Sequence, residues 1–231
     1  MIPLSAGEIA RIVRGELKAD KDVLVTQAPT LDSREAISGS IFLALKGERV
    51  DGHDFVDEAV RRGAVLALVS QPVAAPSIVV KDVQVALGLL ALHVRELLAD
   101  LKVVAITGSQ GKTTTKDLLA WTLGLVGSTV ATKKNLNNEL GLPITLLSCD
   151  YDTKYCVLEM GARHVGDIAA LCAIAQPNIG VVLNVGTAHI GEFGDRAAIA
   201  QTKFELLQNL KPHGVAIVGR YDSFTLDMAE K

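Results

Sequence analysis

The stretch Thr107-Gly108-Ser109-Gln110-Gly111-Lys112-Thr113-Thr114-Thr115 decides the fold of the second half of this 231-residue chain. It follows an apolar run, Val103–Ile106, and precedes a pattern typical of a helix at Asp117–Leu123. A strand, a glycine-bearing loop and a helix that opens with Gly-Lys-Thr predict a phosphate-binding loop. Glycine lets backbone N–H groups turn towards an anion, and the helix N-terminus adds unpaired donors and partial positive charge. The alternative interpretation is a tight structural turn.

Lys112 and Thr113 carry the chemistry of this loop. The lysine is expected to reach the outer phosphates, and the threonine hydroxyl to ligate magnesium. Phosphates are expected to contact Gly108, Ser109, Gln110, Gly111, Lys112, Thr113 and Thr114. The common P-loop also has a glycine five residues before Gly111, where this chain has Ile106. The spacing therefore favours a variant phosphate loop over a generic P-loop NTPase.

Composition narrows the class of protein. Apolar residues make up 49% of the chain, enough for substantial cores, and aromatic residues only 4%, so stacking on bases is not expected. A net charge of −3 without a long basic run argues against nucleic acid or an anionic membrane surface as partner. No apolar run is long enough to span a bilayer, and the N-terminus lacks the pattern of a secretory signal. Cys149, Cys156 and Cys172 lack metal-type spacing and are interpreted as reduced core thiols. We expect a cytoplasmic enzyme that is a monomer.

Two domains are predicted, at 1–100 and 101–231. The first is a small mixed α/β domain with a capping box at Ser5–Glu8 and short strand-like runs. From residue 103 onwards strands alternate with helices, which predicts a doubly wound α/β domain with a parallel sheet. Its predicted strands are 103–107, 129–132, 155–159, 179–185 and 215–218, and its predicted helices 112–125, 139–148, 164–175 and 195–210. Residues 220–231 show no clear element, and a sheet that ends after so few strands indicates a fragment of a longer protein.

Polar residues follow three of the predicted strands, and ligands of an open parallel sheet bind beyond the carboxyl ends of its strands. The three are the phosphate loop, Glu159 and the segment Asn184–His189. The Glu159 carboxylate would face the phosphates and ligate magnesium, or it is a surface carboxylate at a strand end. His189 would ligate a second metal or contact the transferred phosphoryl group, although a lone loop histidine often does neither.

Lys203 lies within the apolar stripe of a predicted helix. The stripe comprises Ile199, Leu206, Leu207 and Leu210. At about 100° per residue, the nearby Glu205 points the other way. Lysine is rarely buried without a partner. Lys203 therefore either snorkels past the stripe to water or acts on the inner face near the metals.

The segment Lys133–Pro143 contains three asparagines in four positions, Asn135, Asn137 and Asn138. Their amides offer many neutral donors and acceptors. The alternative is a polar turn and helix cap, to which asparagine is well suited. The two lysines that open the segment are expected to be solvated.

Several of these motifs resemble one family. The central domain of the Mur ligases of peptidoglycan synthesis is similar, in order, to TGSQGKTTT, NLNNELGLPITLL, EMGARHVGDIAAL, NVGTAHIGEFG and TKFELL. The stretch TLDSREAISGSIFLALKGERVDGHDFVDEAVRRGA resembles the N-terminal, UDP-binding domain shared by the two later-acting members. The asparagine-rich motif and EMGA are similar to those of the member that adds D-alanyl-D-alanine. The resemblance covers residues 1 to about 218.

The resemblance implies an ATP-dependent amide ligase with a UDP-binding domain followed by a P-loop ATPase domain. ATP would phosphorylate the carboxylate of UDP-N-acetylmuramoyl-tripeptide. The amine of D-alanyl-D-alanine would then attack the acyl phosphate, giving an amide, ADP and phosphate. ATP and Mg²⁺ are the implied cofactors. Family members have a longer ATP domain and a C-terminal domain, so this fragment is expected to ligate poorly or not at all.

The resemblance also implies roles for individual residues. Lys112 and the loop amides would hold the phosphates, Thr113 and Glu159 one magnesium, and His189 would help with a second. Lys203 matches a family lysine that is often carbamylated, which would make it an anionic oxygen ligand. The residues that match those holding the UDP moiety are Ser33, Arg34, Lys46, Gly47 and His53. Those that match a segment near the muramoyl substrate and the reacting phosphoryl are Asn135, Asn137 and Asn138.

Two other functions stay open. One is the sister ligase that adds the third peptide residue. The other is a non-catalytic binding protein that keeps the nucleotide fold. The retention of Lys112, Glu159, His189 and Lys203 argues against a protein without catalysis.

Overall fold

The computed structural model describes residues 1–187 and 190–231, and the contacts among them divide the chain into two compact units, Met1–Val94 and Arg95–Lys231. The domain boundary predicted near residue 100 falls shortly after this division. No helix in the described part of the chain is both long and apolar enough to cross a membrane.

The first unit is a mixed α/β fold, as predicted. Its strands are β1 (Leu4–Ser5), β2 (Glu16–Lys18), β3 (Leu24–Val25), β4 (Ile41–Leu43), β5 (Leu66–Val69) and β6 (Ser77–Val79). Its helices are α1 (Ala6–Val13), α2 (Val56–Arg62) and α3 (Val83–Leu97, whose last residues belong to the second unit), with 3₁₀ turns at Ser33–Glu35 and Gly52–Phe55. Strands β4, β5 and β6 are parallel, β2 pairs antiparallel with β6, and β1 and β3 form a separate two-stranded sheet.

Local sequence signals account for the start of α1. The Ser5 hydroxyl accepts a hydrogen bond from the Glu8 N–H, and the Glu8 carboxylate accepts one from the Ser5 N–H, so the predicted capping box is present. Strands β1, β2 and β3 have only two or three residues each, too few to show a period of two in the sequence. They form because neighbouring strands supply their hydrogen-bond partners.

The second unit contains a five-stranded parallel sheet in the order β11-β10-β7-β9-β8. The strands are β7 (Lys102–Thr107), β8 (Thr129–Ala131), β9 (Tyr155–Glu159), β10 (Ile179–Val182) and β11 (Val215–Val218). The helices are α4 (Lys112–Gly124), α5 (Gly141–Leu147), α6 (Asp167–Ala175), α7 (Ile190–Phe193), α8 (Arg196–Gln208) and α9 (Ser223–Glu230). The predicted doubly wound parallel fold is confirmed.

The strand order puts the phosphate loop at the centre of the sheet. From β7 the chain first builds one side of the sheet with β8 and β9, and then crosses to the other side with β10 and β11. The loop after β7 therefore lies at the point where the winding reverses, which is where open α/β sheets bind ligands. Buried Val104 and Ile106 of β7 pack with Leu119 and Leu123 of α4, which fixes the helix that follows the loop.

The prediction of no element at residues 220–231 is wrong, because α9 occupies Ser223–Glu230. The Asp222 side chain caps this helix by accepting a hydrogen bond from the Thr225 N–H at 3.0 Å. Apolar residues at every second position of Phe224–Met228 hide the helical period in the sequence. Strand β10 also ends earlier than predicted, since the Val185 N–H donates to Asp222 rather than to a neighbouring strand.

Candidate active site

The phosphate loop passes directly into α4 at Gly111. This glycine has φ +81°, a left-handed conformation that favours glycine, and it forms the N-cap of the helix. The first helical hydrogen bond runs from the Thr115 N–H to the Gly111 carbonyl. The N–H groups of Lys112, Thr113 and Thr114 therefore have no acceptor within the helix and are available to an anion.

Asn184, at the end of β10, holds the first part of the loop in place. Its backbone carbonyl accepts from the Ser109 N–H at 3.1 Å, and its side-chain oxygen accepts from the Gln110 N–H at 3.0 Å. The N–H groups of Ser109 and Gln110 therefore already have protein acceptors. Fewer of the predicted loop N–H groups are left to bind a phosphate. The Ser109 hydroxyl accepts from the Gly186 N–H at 2.8 Å, which adds a further tie. Asn184 is missing from the predicted site residues, although its position at a strand end signals this edge of the sheet.

Glu159 lies at the end of β9 and is only 4% exposed, so the alternative of a surface carboxylate is excluded. One carboxylate oxygen accepts from the Thr113 hydroxyl at 2.9 Å. The other accepts from the Asn137 side-chain amide at 2.9 Å. Three predicted site residues from three different segments thus meet at one carboxylate.

Lys116 and Thr132 form a second layer behind this carboxylate. The Thr132 hydroxyl accepts from the Glu159 N–H at 3.0 Å, and the Thr132 carbonyl accepts from the Lys116 ammonium at 2.8 Å. Lys116 is buried in α4, one turn after Lys112, and it also forms a salt bridge with its neighbour Asp117. Neither residue of this layer is among the predicted site residues, and the spacing of two lysines on one helical face is the signal that could have found Lys116.

Lys203 of α8 is 9% exposed, so the snorkelling alternative is also excluded. Burial, and then the positive charge of Lys112, lower the pKa of Lys203 from 10.5 to about 8. Burial likewise lowers the pKa of Lys112, and the negative charge of Glu159 partly opposes that shift. The charge of Lys112 therefore acts both on Glu159 and on the buried Lys203.

Glu205 points away from the Lys203 side of α8, as predicted, and contacts α6. It is buried, and its carboxylate accepts from the Gly166 N–H at 2.6 Å and from the Ala169 N–H at 3.0 Å. The helical period correctly separates Glu205 from Lys203. The sequence does not show that α6 covers the face on which Glu205 lies.

The sequence allows the three asparagines to be either site residues or parts of a polar turn, and the structure places them differently. Asn137 binds Glu159, and its carbonyl accepts from the Gly161 N–H at 2.9 Å, which joins the loops after β8 and β9. The Asn138 side chain instead accepts from the Gly141 N–H at 3.0 Å, within the polar turn that leads into α5. Asn135 is exposed, and its carbonyl accepts from the Asn137 N–H. A contact of Asn135 or Asn138 with substrate stays a prediction.

His189 lies outside the described residues, so its predicted role stays a prediction. Within residues 1–187 and 190–231, no group of three or more His, Cys, Asp and Glu side chains could hold a metal ion by itself. The Thr113 hydroxyl and the Glu159 carboxylate are nevertheless hard oxygen donors of the kind that Mg²⁺ prefers. Magnesium in phosphate-binding proteins commonly takes one or two carboxylates and completes its shell with substrate phosphates and water. The donors present therefore fit a magnesium ion that binds together with a nucleotide.

The first unit has a pocket of about 610 Å³ of its own. Three predicted substrate-binding residues line it, Ser33, Arg34 and Gly47. The Ser33 hydroxyl donates to Glu58 at 3.0 Å, and the Arg34 guanidinium donates to both carboxylate oxygens of Asp32. Those hydrogen bonds lower the pKa of Asp32 to about 2. The remainder of the lining is largely apolar and comprises Leu31, Phe42, Leu43, Leu45, Val50 and Phe55.

Two further predicted substrate-binding residues, His53 and Lys46, are not among the residues that line this pocket. The Nδ1–H of buried His53 donates to Asp51 at 2.5 Å, and its Nε2 accepts from the Ser70 N–H at 3.0 Å. Both ring nitrogens of His53 are thus used within the protein. Lys46 is exposed beside the pocket and pairs with Asp51 through a backbone bridge.

The central parallel sheet, its phosphate loop and the adjoining carboxylate define a phosphate-loop protein of the open α/β class. The model of the Mur ligase middle domain matches residues 106–231, and the model described as "Mur ligase family, catalytic domain" matches residues 28–102. The chain therefore belongs to the Mur ligase family.

Individual relatives agree with this assignment. UDP-N-acetylmuramoyl-tripeptide–D-alanyl-D-alanine ligase of Escherichia coli is 40% identical over 220 residues, which is 94% of this chain and 48% of the relative. A crystal structure of MurF from Acinetobacter baumannii is 42% identical with a TM-score of 0.89 over 99% of this chain and 51% of that one. MurF ligase from Thermotoga maritima, solved in complex with ADP, is 38% identical with a TM-score of 0.78 over 90% of this chain and 48% of that one. The chain thus spans about half the length of these relatives.

Proposed function

We propose that this chain carries the UDP-substrate region and the nucleotide-phosphate region of an ATP-dependent ligase that joins D-alanyl-D-alanine to UDP-N-acetylmuramoyl-tripeptide. One observation carries the proposal. The hydroxyl of Thr113 and the amide of Asn137 meet on the buried Glu159 carboxylate, whose negative charge also acts on Lys112 of the phosphate loop. The names of the similar proteins supply the particular substrates.

The second unit offers what phosphoryl transfer requires, which is positioning and charge neutralisation more than covalent chemistry from the protein. Lys112 and the N–H groups that open α4 would hold the terminal phosphates of ATP. Thr113 and Glu159 would hold Mg²⁺, which would neutralise charge on the transferred phosphoryl group. At present the Lys112 ammonium donates to the Gly108 carbonyl at 2.8 Å, and a phosphate would take over that contact.

Lys203 adds a second positive charge close to the site of transfer. As an ammonium, it would attract the substrate carboxylate that accepts the phosphoryl group. As a carbamate, it would be an oxygen ligand, and which form it takes stays a prediction. Burial of its side chain excludes bulk water, which strengthens either interaction.

The pocket of the first unit suits a UDP moiety. Its apolar wall can accept the flat face of a base, while Arg34 and Ser33 stand at its polar side. The side chain of Arg34 is 76% exposed and already oriented by Asp32, so its cation is available to a pyrophosphate. The three cysteines are free and buried, which is compatible with the cytoplasm, where ATP and UDP-linked precursors occur.

Calorimetry tests the proposal with two ligands, magnesium-ATP and UDP-N-acetylmuramoyl-tripeptide, titrated separately into the wild-type chain. Lys112→Ala should lower the affinity for magnesium-ATP by about 100-fold, since charge-assisted contacts to two phosphates are lost, and leave the UDP ligand unaffected. Lys102→Ala is the matched control, because Lys102 is exposed at the opposite end of β7. Absence of binding by both ligands would favour the non-catalytic alternative.

Turnover separates the two ligase alternatives. ADP release should depend on D-alanyl-D-alanine when the UDP-tripeptide is present, in this chain or in a longer protein that contains it. A diamino acid added with the UDP-dipeptide should not replace it. Release that follows the diamino acid would identify the sister ligase instead.

A further inference from the structure

Helix α6 begins at a residue that has no side chain to cap it. Its N-cap is Gly166, with φ +99°, and such a position usually has a Ser, Thr, Asp or Asn whose oxygen accepts a backbone hydrogen bond. The carboxylate of Asp167, in the first turn, faces backwards and accepts from the N–H groups of Arg163 and His164 at 2.8 and 2.9 Å. It therefore holds the preceding loop rather than the helix.

Glu205 supplies the missing cap from another helix. Its carboxylate accepts from the Gly166 N–H at 2.6 Å and from the Ala169 N–H at 3.0 Å. The residue is buried, and the described part of the chain provides no salt bridge to it. Its charge is instead stabilised by these donors and by the partial positive charge of the α6 N-terminus. A carboxylate held in this way resists rotation of the helix that carries it.

That helix is α8, which also carries Lys203. Two helical positions correspond to a rotation of about 200°, so Glu205 and Lys203 project from nearly opposite sides of α8. Glu205 is held by α6, and Lys203 is close enough to Lys112 for the two charges to interact. The hydrogen bonds from α6 to Glu205 therefore restrain rotation of α8 about its axis. Because Lys203 lies on the opposite side of α8, the same hydrogen bonds fix the direction in which Lys203 points.

The cap also acts on the loop that follows Glu159. The chain runs from this carboxylate through Gly161–Val165 to the start of α6, and Gly161 is bound to the Asn137 carbonyl. Fixing Gly166 thus fixes the far end of the same loop. Glu205 connects two elements that bring charged groups to the phosphate site without contacting that site itself.

We propose that Glu205 is a positioning residue that, by capping α6, holds α8 in the rotation that presents Lys203 to the phosphate site. The inference rests on the proposed function only in taking this site to bind nucleotide phosphates. The rest of the inference depends on the contacts between α6 and α8.

The experiment compares Glu205→Ala and Glu205→Gln with the wild-type chain. Glutamine keeps the shape and one acceptor oxygen but replaces the other with a donor. Asp150→Ala is the matched control, since the Asp150 carboxylate also accepts two hydrogen bonds, from the Thr153 hydroxyl and the Asp152 N–H, at the opposite edge of the sheet. All measurements are made at a temperature well below the midpoint of thermal unfolding of each variant.

Two readouts are taken from each protein. The first is the affinity for magnesium-ATP, which we expect to fall about tenfold in Glu205→Ala and less in Glu205→Gln, as for other residues that orient a binding group. The second is acetylation of Lys203 by an acylating reagent, followed by mass spectrometry. It should rise by about tenfold or more in Glu205→Ala, because an α8 that is no longer held by α6 opens more often and exposes the amine to the reagent. Lys116, equally buried but on α4, is the internal control and should stay protected.

A merely structural role would raise acetylation of Lys116 and Lys203 together, or would weaken ATP binding in Asp150→Ala to the same extent. Either result overturns the inference, as does unchanged protection of Lys203 in both Glu205 variants. If the wild-type chain does not bind magnesium-ATP, the proposed function fails. The acetylation pattern then still decides whether Glu205 positions Lys203.

Discussion

In the pocket of the first unit, the charged side chains are already paired with one another. Asp32 holds Arg34, and Glu58 binds both Ser33 and Arg62. In the phosphate site of the second unit, Lys112 and Lys203 form no salt bridge with any residue that the structure describes, and burial lowers the pKa of both. The charges of the pocket are thus paired with one another, whereas among the described residues neither lysine of the phosphate site has a salt-bridge partner.

This difference fits the ligands proposed for the two regions. A uridine diphosphate sugar is recognised largely by shape, with a few polar contacts, and a pocket with oriented, neutralised side chains costs little to form. The terminal phosphates of ATP carry several negative charges, and their binding would offset the cost of two buried ammonium groups. If the proposed ligands are right, buried charge at the phosphate site lowers the stability of the second unit until ATP binds, and the paired pocket of the first unit carries no such cost. Three substitutions can break or sharpen this contrast.

The largest effect is expected from Glu159→Ala. Loss of the carboxylate removes a magnesium donor and the group that orients Thr113 and Asn137. The affinity for magnesium-ATP should fall on the order of 100-fold, while the affinity for magnesium-free ATP should change much less, because a negative charge has also been removed. Calorimetry with and without magnesium measures both values.

Glu58→Ala is the control in the other region, since it removes a partly exposed carboxylate from the pocket of the first unit. It should alter binding of the UDP substrate and leave magnesium-ATP alone. Equal losses with and without magnesium in Glu159→Ala would contradict the assigned magnesium role.

A smaller effect, on stability, is expected from Lys203→Met. The pKa of Lys203 is about 8 in the folded chain, against the ordinary value of 10.5 that applies to the unfolded chain. Between pH 8 and pH 10.5 the unfolded chain therefore binds more protons than the folded chain. The cost of burying the ammonium is therefore complete below pH 8 and disappears as the pH rises to 10.5. Lys203→Met should raise the free energy of unfolding by about 2 kcal/mol at pH 7, and this gain should vanish towards pH 10.5.

Urea unfolding at a series of pH values measures this difference, in carbonate-free buffer so that no carbamate forms. Lys102→Met provides the baseline, because it makes the same substitution at an exposed position at the opposite end of β7. A gain for Lys203→Met that stays constant through pH 10.5 would show that the buried charge is not its cause.

The smallest effect is expected from Arg34→Ala. Deleting the guanidinium removes a cation from the pocket and leaves the Asp32 carboxylate facing an anionic ligand. The affinity for the UDP substrate should fall about tenfold, the value of one charge-assisted hydrogen bond, with magnesium-ATP unchanged. Arg11→Ala, on the exposed side of α1, should have no effect on either ligand in the same titrations.

The positions of residues that belong to a continuous local pattern were predictable. Lys112 and Thr113 follow a strand and open a helix, and Glu159 ends an apolar run, so their positions follow from the period of the chain alone. Lys203 was recognisable as a polar residue within an apolar stripe, and its burial selects one of the two interpretations that the sequence left open.

Residues whose role depends on a distant partner were not predictable. Asn184 contacts a loop 74 positions earlier in the chain, Glu205 caps a helix that starts 39 positions earlier, and His53 is engaged by Ser70. Helix α9 belongs to the same group, since the Asp222 that caps it is also fixed by Val185. Such contacts leave no periodic trace in the sequence.

By itself, the sequence determined the alternation of strands and helices, the phosphate loop and the types of side chain that stand at the strand ends. These depend on the period of apolar residues and on glycine, which act over a few neighbouring positions. Only the tertiary structure decided which strands are neighbours, that Thr113 and Asn137 share the two oxygens of Glu159, and that Lys203 and Glu205 are both buried on opposite sides of one helix. The reason is that burial and hydrogen bonding between distant segments are properties of packed elements, and many packings are compatible with the same local pattern.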